Sequence, residues 1–297
     1  MNSLATVTRL GRPVGAPVRD PLDKLFTRIS EISSLPRVAQ RIVQLASDDN
    51  ATVDDLRRVI QTDPALTAKL LRLVNSSFYA IKNSVRDLRT AISLLGFHEV
   101  RNLALSIFVA EQFQKSGDHN AYTRIGLWKH SQAVALMAQR IARVSGRGKP
   151  GEIFLAGLLH DIGYILLDQH LRRHFCEVLD EINEDTATCV VERRLLSFDH
   201  ARLGASVAAK WKFPTQIVDA IRYHHSPETY RGEFVDAVRA VAIANHMATR
   251  AGCSALGVAN VEPPADGVYA QAGLDPATQE ILWNDMTAIL SDVDDVL

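Results

Sequence analysis

A histidine and an aspartate stand side by side at His160-Asp161, inside the otherwise apolar stretch of residues 153–167. Ionisable groups are costly to bury alone, so this pair needs partners, a metal ion or access to solvent. Neutral imidazole nitrogen and carboxylate oxygen are ligands for zinc, iron and manganese. Any one histidine alone is better explained as a hydrogen-bonded core residue, but several together favour a metal centre formed by several helices. Suitable partners lie in other segments of the chain: His130, His200, His224 and His225.

The elements that must position these residues are predicted to be helices. Apolar residues such as Leu66, Leu70 and Val74 recur at the spacing of one helix face, and no stretch alternates with period two over the length of a strand. Aspartate caps a first turn, and proline needs no N–H there. This helix-start pair occurs three times, at Asp20-Pro21, Asp63-Pro64 and Asp275-Pro276. The predicted helices are 36–46, 53–61, 64–75, 88–94, 98–113, 122–144, 151–167, 170–183, 186–196, 200–211, 215–224, 233–250 and a last one from Pro276.

This pattern predicts an all-α, multi-helix fold with two helical lobes. Residues 1–20, with scattered glycine and proline, are expected to form a flexible extension. The N-terminal lobe spans about 21–116, the second lobe about 121–250, and the polar stretch 115–120 joins them. Residues 251–297 are expected to form a surface loop over 252–274 and then a C-terminal helix.

The composition narrows the class of protein. A hydrophobic content of 47% with 23% charged residues is typical of a globular chain, and a net charge of −1 gives no general attraction to nucleic acid or acidic membrane. The three cysteines are odd in number and lack zinc-knuckle spacing, which indicates free thiols in a reducing compartment. Charged residues such as Asp161 and Arg239 interrupt the longest apolar runs. We therefore expect a cytoplasmic protein without a membrane partner.

A second arrangement that could carry function is the segment 53–78, which has the outline of a helix-turn-helix. Between residues 51 and 110 there are eight lysines and arginines and five acids, a surplus of three. That surplus is too small for a DNA-binding surface, and short helix pairs are common in helical domains. The sequence therefore argues against nucleic acid as a partner. Asn75, at the end of the second helix, is expected to cap it in a left-handed backbone conformation.

Several motifs, in this order along the chain, resemble the HDOD family. They are Leu35-Pro36, the segment from Asp63 to Ser76, Ala91-Ile-Ser-Leu-Leu-Gly96, Leu127-Trp-Lys-His130-Ser131, Gly157-Leu-Leu-His160-Asp161-Ile-Gly163, Asp199-His200 and His224-His225-Ser-Pro227. The resemblance covers roughly residues 26–250. It implies an HDOD domain over 21–250: an all-helical bacterial signalling domain, distantly similar to HD metal-dependent phosphohydrolases and HD-GYP cyclic di-GMP phosphodiesterases.

The resemblance also implies which residues would bind metal, and it shows where this chain departs from the enzymes. The implied metal ligands are His130, His160, Asp161, His200, His224 and His225. Where HD-GYP enzymes carry a lysine this chain has Tyr164, and their Gly-Tyr-Pro loop is replaced by Ser226-Pro-Glu-Thr-Tyr230. Asn245 stands where a late aspartate is expected. A two-metal site that activates water needs its anionic ligands, so these changes argue against efficient hydrolysis.

Two functional hypotheses follow from these observations. The first is a non-catalytic signal-transduction module that acts through protein–protein contacts and retains a vestigial or regulatory metal pocket for iron, manganese or zinc. No receiver, kinase or cyclase segment accompanies the helical domain, so its signalling partner is expected in trans, with the oligomeric state left open. The alternative is a metal-dependent phosphohydrolase acting on nucleotides or cyclic dinucleotides.

Overall fold

A computed structural model describes residues 36–46, 48, 50–75, 81, 84–113, 117–259, 261, 263–265 and 267–295. Within these residues the fold is all-α and contains no strand, which confirms the predicted class. The helices are α1 (Arg37–Ala46), α2 (Val53–Gln61), α3 (Pro64–Val74), α4 (Leu88–Leu95), α5 (Phe97–Phe113), α6 (Arg124–Ser145), α7 (Pro150–Leu159), α8 (Ile162–His170), α9 (Arg172–Glu181), α10 (Thr188–Leu196), α11 (His200–Lys210), α12 (Thr215–Tyr223), α13 (Val235–Arg250), α14 (Val268–Gln271) and α15 (Pro276–Asp295).

Capping aspartates set several helix starts. The Asp63 carboxylate accepts a hydrogen bond from the Leu66 N–H at 3.0 Å, and Asp275 accepts one from Thr278 at 2.7 Å. Two predicted starts are thereby confirmed, while Asp20-Pro21 and the extension 1–20 lie outside the described residues. Asp199 caps α11 in the same way, accepting from the Arg202 N–H at 2.8 Å. Because Asp199 is the cap, His200 occupies the first position of α11.

In the N-terminal lobe (α1–α5), helices α1 to α4 all pack on the long helix α5. Helices α2 and α3 form the predicted pair, joined at Thr62-Asp63. The prediction for Asn75 was wrong in part: it caps α3, but its φ is −88° and not left-handed. Its side chain instead donates to the Val85 carbonyl at 2.8 Å and accepts from the Val85 N–H at 2.7 Å. The asparagine thus holds a connecting segment against the end of α3.

In the C-terminal lobe (α6–α13), helix α6 is central and packs against α7, α13 and the C-terminal helix α15. A buried ion-pair network locks three helices together. Asp168 of α8 accepts hydrogen bonds from Arg124 at the start of α6, from Arg172 of α9 and from the Tyr122 hydroxyl. Arg172, at the start of α9, is tied into this network by its contact with Asp168.

The single helix predicted over residues 151–167 was wrong, because α7 ends at Leu159 and α8 begins at Ile162. His160 and Asp161 form the turn between them, and the Asp161 backbone has φ −102° and ψ 15°. The Asp161 carboxylate makes no capping bond to α8. It faces a group of histidines instead, and these polar contacts accompany the break in the helical ladder. The predicted loop 252–274 also contains the short helix α14.

The stretch Pro150–His170 is long and apolar enough, by composition alone, to span a membrane. The expectation that charged residues interrupt every such run is therefore wrong for this stretch. However, 78% of its most apolar window is buried inside the fold. This stretch is thus core structure in the C-terminal lobe, where its apolar side chains pack on neighbouring helices.

Candidate metal centre

All six predicted ligands meet at one place in the C-terminal lobe. His130 comes from the middle of α6, and His160-Asp161 from the turn between α7 and α8. His200 begins α11, and the pair His224-His225 follows the last residue of α12. Most of these residues therefore lie at helix ends, where the chain can turn a polar side chain inward.

Two glycines allow the helices to approach closely enough for this meeting. A Cβ atom on Gly163 would lie 2.7 Å from the carbonyl carbon of His200, closer than real Cβ contacts allow. A Cβ on Gly157 would lie 2.8 Å from the Cα of Ala135 in α6. The glycines on either side of His160-Asp161 thus bring α11 and α6 against the α7–α8 turn.

The two oxygens of Asp161 face different histidines. Oδ2 lies 3.1 Å from Nε2 of His160 and 3.5 Å from Nε2 of His130. Oδ1 lies 3.2 Å from Nε2 of His200 and 3.5 Å from Nε2 of His224. His225 completes the cluster with its Nε2 at 3.0 Å from that of His200. His225 is solvent-exposed, whereas the other members are buried.

The outer nitrogens of the rings fix which way the inner nitrogens point. The Nδ1 atoms of His130, His160 and His224 each lie 2.7 Å from a backbone carbonyl oxygen, those of Cys253, Gly157 and Ile221 respectively. A carbonyl only accepts, so Nδ1 carries the proton and donates, and in a neutral ring Nε2 then bears the lone pair. These lone pairs point into the cluster.

His200 is held differently, by a buried carboxylate. Its Nδ1 lies 2.8 Å from Glu192 Oε2, and its backbone N–H donates to the same oxygen at 3.0 Å. Its ring also stacks on Tyr164, with centroids 4.0 Å apart. A carboxylate behind a ligating histidine is the usual arrangement that orients such a ring and increases its basicity.

The pKa values of the clustered residues are strongly shifted from their ordinary values. Burial lowers the pKa of His130 and of His224 to about 4, against the opposing charge of Asp161. Burial alone would also lower the pKa of His200, but Glu192 and Asp161 outweigh it and raise that pKa to about 10. Burial would raise the pKa of Asp161, yet the surrounding histidines hold it well below its ordinary value. The carboxylate is therefore ionised and deeply buried.

The donor set fits a divalent cation. Among the described residues no donor reaches Asp161 Oδ1 with hydrogen-bond geometry, although two histidine nitrogens lie within 3.5 Å of it. Nε2 atoms of His130 and His160 lie only 3.3 Å apart. Neutral rings with inward lone pairs repel at such distances unless a cation lies between them. Two overlapping ligand groups share Asp161: one with His130 and His160, the other with His200, His224 and His225.

Beside the cluster is a cavity of about 140 Å³. Its lining includes Asp161, Tyr164, His225 and Asn245, so two of the three departures from the enzyme pattern face the same space. Asn245 is buried, and its side-chain oxygen accepts from the Thr249 hydroxyl at 3.4 Å. Arg193 of α10 also lines the cavity.

Sequence reasoning missed Glu192 and the backbone contact of Cys253. Glu192 is fully buried in α10, although it precedes Arg193-Arg194 in what reads as a charged surface stretch. The available signal was its place eight residues before His200, but a turn at residues 197–199 separates the two helices, so helical spacing does not predict their contact. A third possible ligand group, Cys189 with Glu192 and His200, lies behind the His200 ring.

The HDOD domain model matches residues 32–227. Among solved structures, an HDOD domain protein of unknown function from Geobacter sulfurreducens is 24% identical, with TM-score 0.77 over 92% of this chain and 97% of that one. A candidate signal-transduction protein from Marinobacter aquaeolei is 29% identical, with TM-score 0.73 over 92% of this chain and 62% of that one. A candidate phosphohydrolase from Shewanella amazonensis is 22% identical, with TM-score 0.66 over 90% and 97%.

The chain spans 47% and 31% of the length of two curated relatives, from Treponema pallidum and Bacillus subtilis, each 24% identical and named only as uncharacterized. The family match ends before α13, so Asn245 and the Cys253 carbonyl contact lie beyond it. The ordered motifs, the helical fold and the match over about two thirds of the sequence agree. This chain belongs to the HDOD domain family.

Proposed function

We propose that this protein is a cytoplasmic signal-transduction module that acts on signalling proteins in trans and is regulated by a divalent metal centre in its C-terminal lobe. The observation that carries the proposal is the convergence of histidine Nε2 atoms on the buried carboxylate of Asp161. The similarity to a candidate signal-transduction protein supports the relay role.

His130, His160, Asp161, His200, His224 and His225 would hold the metal. Five imidazoles and one carboxylate favour zinc or iron over magnesium, which prefers oxygen ligands. When bound, the cation supplies a concentrated positive charge that links α6, the α7–α8 turn, α11 and the end of α12. A ligand that binds only the folded arrangement stabilises it, so metal occupancy would control how firmly these helices are held together. A change in how firmly these helices are held would alter a surface that a partner recognises.

Three features support regulation over turnover. Tyr164 stacks on His200 where the HD-GYP pattern has a lysine, so a phosphate-neutralising cation is lacking there. Asn245 supplies a neutral amide in place of a carboxylate. The cavity of about 140 Å³ is also well below the roughly 300–1,000 Å³ of typical small-molecule sites.

The test is elemental analysis of the purified full chain, combined with an assay of cyclic di-GMP hydrolysis. We expect stoichiometric zinc or iron in the wild type, its loss in the double variant His160→Ala with Asp161→Ala, and no sustained turnover. His174→Ala, a histidine of α9 outside the cluster, is the matched control and should keep its metal. Metal-dependent turnover that the double variant abolishes would refute the regulatory proposal.

A metal-dependent phosphohydrolase is the second candidate, favoured by one observation. Asp161 presents one oxygen to each ligand group, as a carboxylate shared between two cations would. In that case bound metal would polarise a phosphate ester and make water more acidic. Absence of metal in the purified protein, together with no hydrolysis of nucleotides after addition of manganese or iron, would eliminate this candidate.

A further inference from the structure

The chain passes from the N-terminal lobe into the C-terminal lobe through a segment that includes residues 117–122, which we name the junction. Two backbone hydrogen bonds between His119 and Tyr122, each of 3.0 Å, close it into a turn, and Asn120 within this turn has a left-handed φ of 52°. The side chains of His119 and Asn120 both contact Oδ1 of Asp180 in α9 at 2.8 Å. The junction is therefore a tight turn fastened to the C-terminal lobe.

The last turn of α8 packs directly on the junction. Its residue Asp168 is buried and accepts hydrogen bonds from Arg124 and Arg172. Arg172 also donates to the backbone carbonyls of Gly117 and Asp118, the latter at 2.9 Å. A Cβ atom on Gly117 would overlap the Asp168 carboxylate and lie 2.7 Å from Nε of Arg124. The junction thus cannot change position without disturbing the ion pairs at the end of α8.

The opposite end of α8 meets the metal centre. Asp161 immediately precedes this helix and presents its two carboxylate oxygens to histidines of the cluster. Asp168 lies seven residues further along the chain, a rise of about 10 Å in a helix. Helix α8 also packs on α11, which begins with the candidate ligand His200. One short helix therefore connects the central carboxylate of the cluster to the junction.

A row of aromatic rings, which we name the aromatic column, makes a second connection. The His200 ring stacks on Tyr164 with centroids 4.0 Å apart, and the Tyr164 centroid lies 6.0 Å from that of Phe175 in α9. Phe175 meets Tyr122 of the junction edge to face, at 5.1 Å and with ring planes at 84°. All four side chains are buried. Because close packing leaves little space around buried rings, a shift of one ring displaces the next.

We propose that α8 and the aromatic column couple metal occupancy to the closure of the junction between the lobes. The inference rests on the proposed metal centre and specifies how that centre regulates the rest of the chain. Asp161 and His200 begin the two connections, so holding both by a metal favours the closed junction, to the extent that metal binds the closed arrangement more tightly. Tyr164, which stands where HD-GYP enzymes carry a lysine, thereby acts as the first ring of a relay.

The experiment is hydrogen–deuterium exchange of the full chain with and without zinc, followed in the peptide that covers the junction. The amides of His119 and Tyr122 exchange when their mutual hydrogen bonds open, so their rates report this opening. Zinc should slow their exchange by about fivefold or more, as allosteric coupling of ordinary size does. Phe175→Leu interrupts the aromatic column and should reduce this zinc effect to about twofold or less. Phe213→Leu, a buried phenylalanine that pairs with Trp211 outside the column, is the matched control and should keep the full effect.

Arg172→Gln tests the connection through α8, and Arg173→Gln is its control. Arg172 binds the carbonyls of Gly117 and Asp118, whereas Arg173 has 89% side-chain exposure and pairs with Glu177. Arg172 itself has 38% side-chain exposure, so this substitution leaves the core intact even if Phe175→Leu prevents folding. The zinc effect on the junction should fall in the Arg172 variant and stay unchanged in the Arg173 variant.

The outcomes separate this inference from the proposed function. Absence of zinc binding in the wild type would overturn both. Stoichiometric zinc with unchanged exchange of the junction would overturn the coupling alone and leave the metal centre standing. Equal slowing in all peptides would reflect stabilisation of the whole fold by a bound ligand and would refute the coupling as well. A zinc effect that survives in both the Phe175 and the Arg172 variants would refute the relay through α8 and the aromatic column.

Discussion

Glu192 offers the sharpest test of how the metal centre is organised. It is fully buried, and its carboxylate contacts both the backbone N–H and the Nδ1 of His200 at 3.0 and 2.8 Å. Glu192→Gln keeps the size of the side chain but removes its charge and turns one acceptor into an NH₂ group. The new NH₂ group would face the N–H donor of the His200 ring. We expect the His200 ring to lose its fixed orientation and part of its basicity.

The magnitude follows from the role of a carboxylate behind a ligating histidine. Removing such a partner typically weakens metal binding by about 10-fold to 100-fold. By the relation of about 1.4 kcal/mol per tenfold, this corresponds to about 1.4 to 2.8 kcal/mol. The assay is competition for zinc against a chromophoric chelator, with circular dichroism to verify the fold. Glu177→Gln on the exposed face of α9, with 47% side-chain exposure, is the control and should bind metal as the wild type does.

A purely structural role for Glu192 predicts a different result. Because Oε2 also accepts the His200 N–H at the start of α11, Glu192 could serve only to hold that helix end. The variant would then unfold at lower urea concentration while its metal affinity stayed within about twofold of the wild type, well short of the 10-fold minimum expected of an orienting carboxylate. That combination would refute the orienting role.

Three further substitutions test the packing around the site by urea unfolding. Gly163→Ala should cost about 1–3 kcal/mol, because its Cβ would meet the backbone of His200; an unchanged midpoint would show that α8 and α11 can separate freely. Asp168→Asn should cost about 3–5 kcal/mol, because Arg124 would be left buried without its counter-ion, and a loss below about 1 kcal/mol would place this pair with ordinary surface ion pairs. Asn75→Ala should cost about 1–3 kcal/mol through loss of two hydrogen bonds to a connecting backbone, and a neutral effect would mean that this segment is held by other contacts.

The sequence predicted the helices and the meeting of the six residues because both depend on local signals. Periodic apolar residues and capping aspartates such as Asp63 specify helices within a few residues of the observed bounds. Ordered motifs singled out the six candidate ligand residues, and the structure brings their side chains together. The motifs could not predict the geometry of the cluster, for example that the two oxygens of Asp161 face separate histidine groups.

The errors share a physical cause, which is that long-range contacts override local pattern. Residues 151–167 are apolar enough for one helix, yet the His160-Asp161 turn interrupts it where polar side chains meet partners from other helices. Asparagine is a residue type suited to a left-handed helix cap, but the Asn75 side chain forms hydrogen bonds with the backbone of Val85, ten residues away. Glu192 reads as a surface acid beside two arginines, and only the folded chain places it behind His200.

The same long-range contacts make the candidate metal centre an integral part of the fold of the C-terminal lobe. The carbonyl groups that orient His130, His160 and His224 belong to backbone segments in three different places, and Glu192 adds a fourth. Each of these contacts orients a histidine ring so that its Nε2 faces the carboxylate of Asp161. A divalent cation between the His130 and His160 rings would relieve the repulsion between their Nε2 lone pairs, which lie 3.3 Å apart.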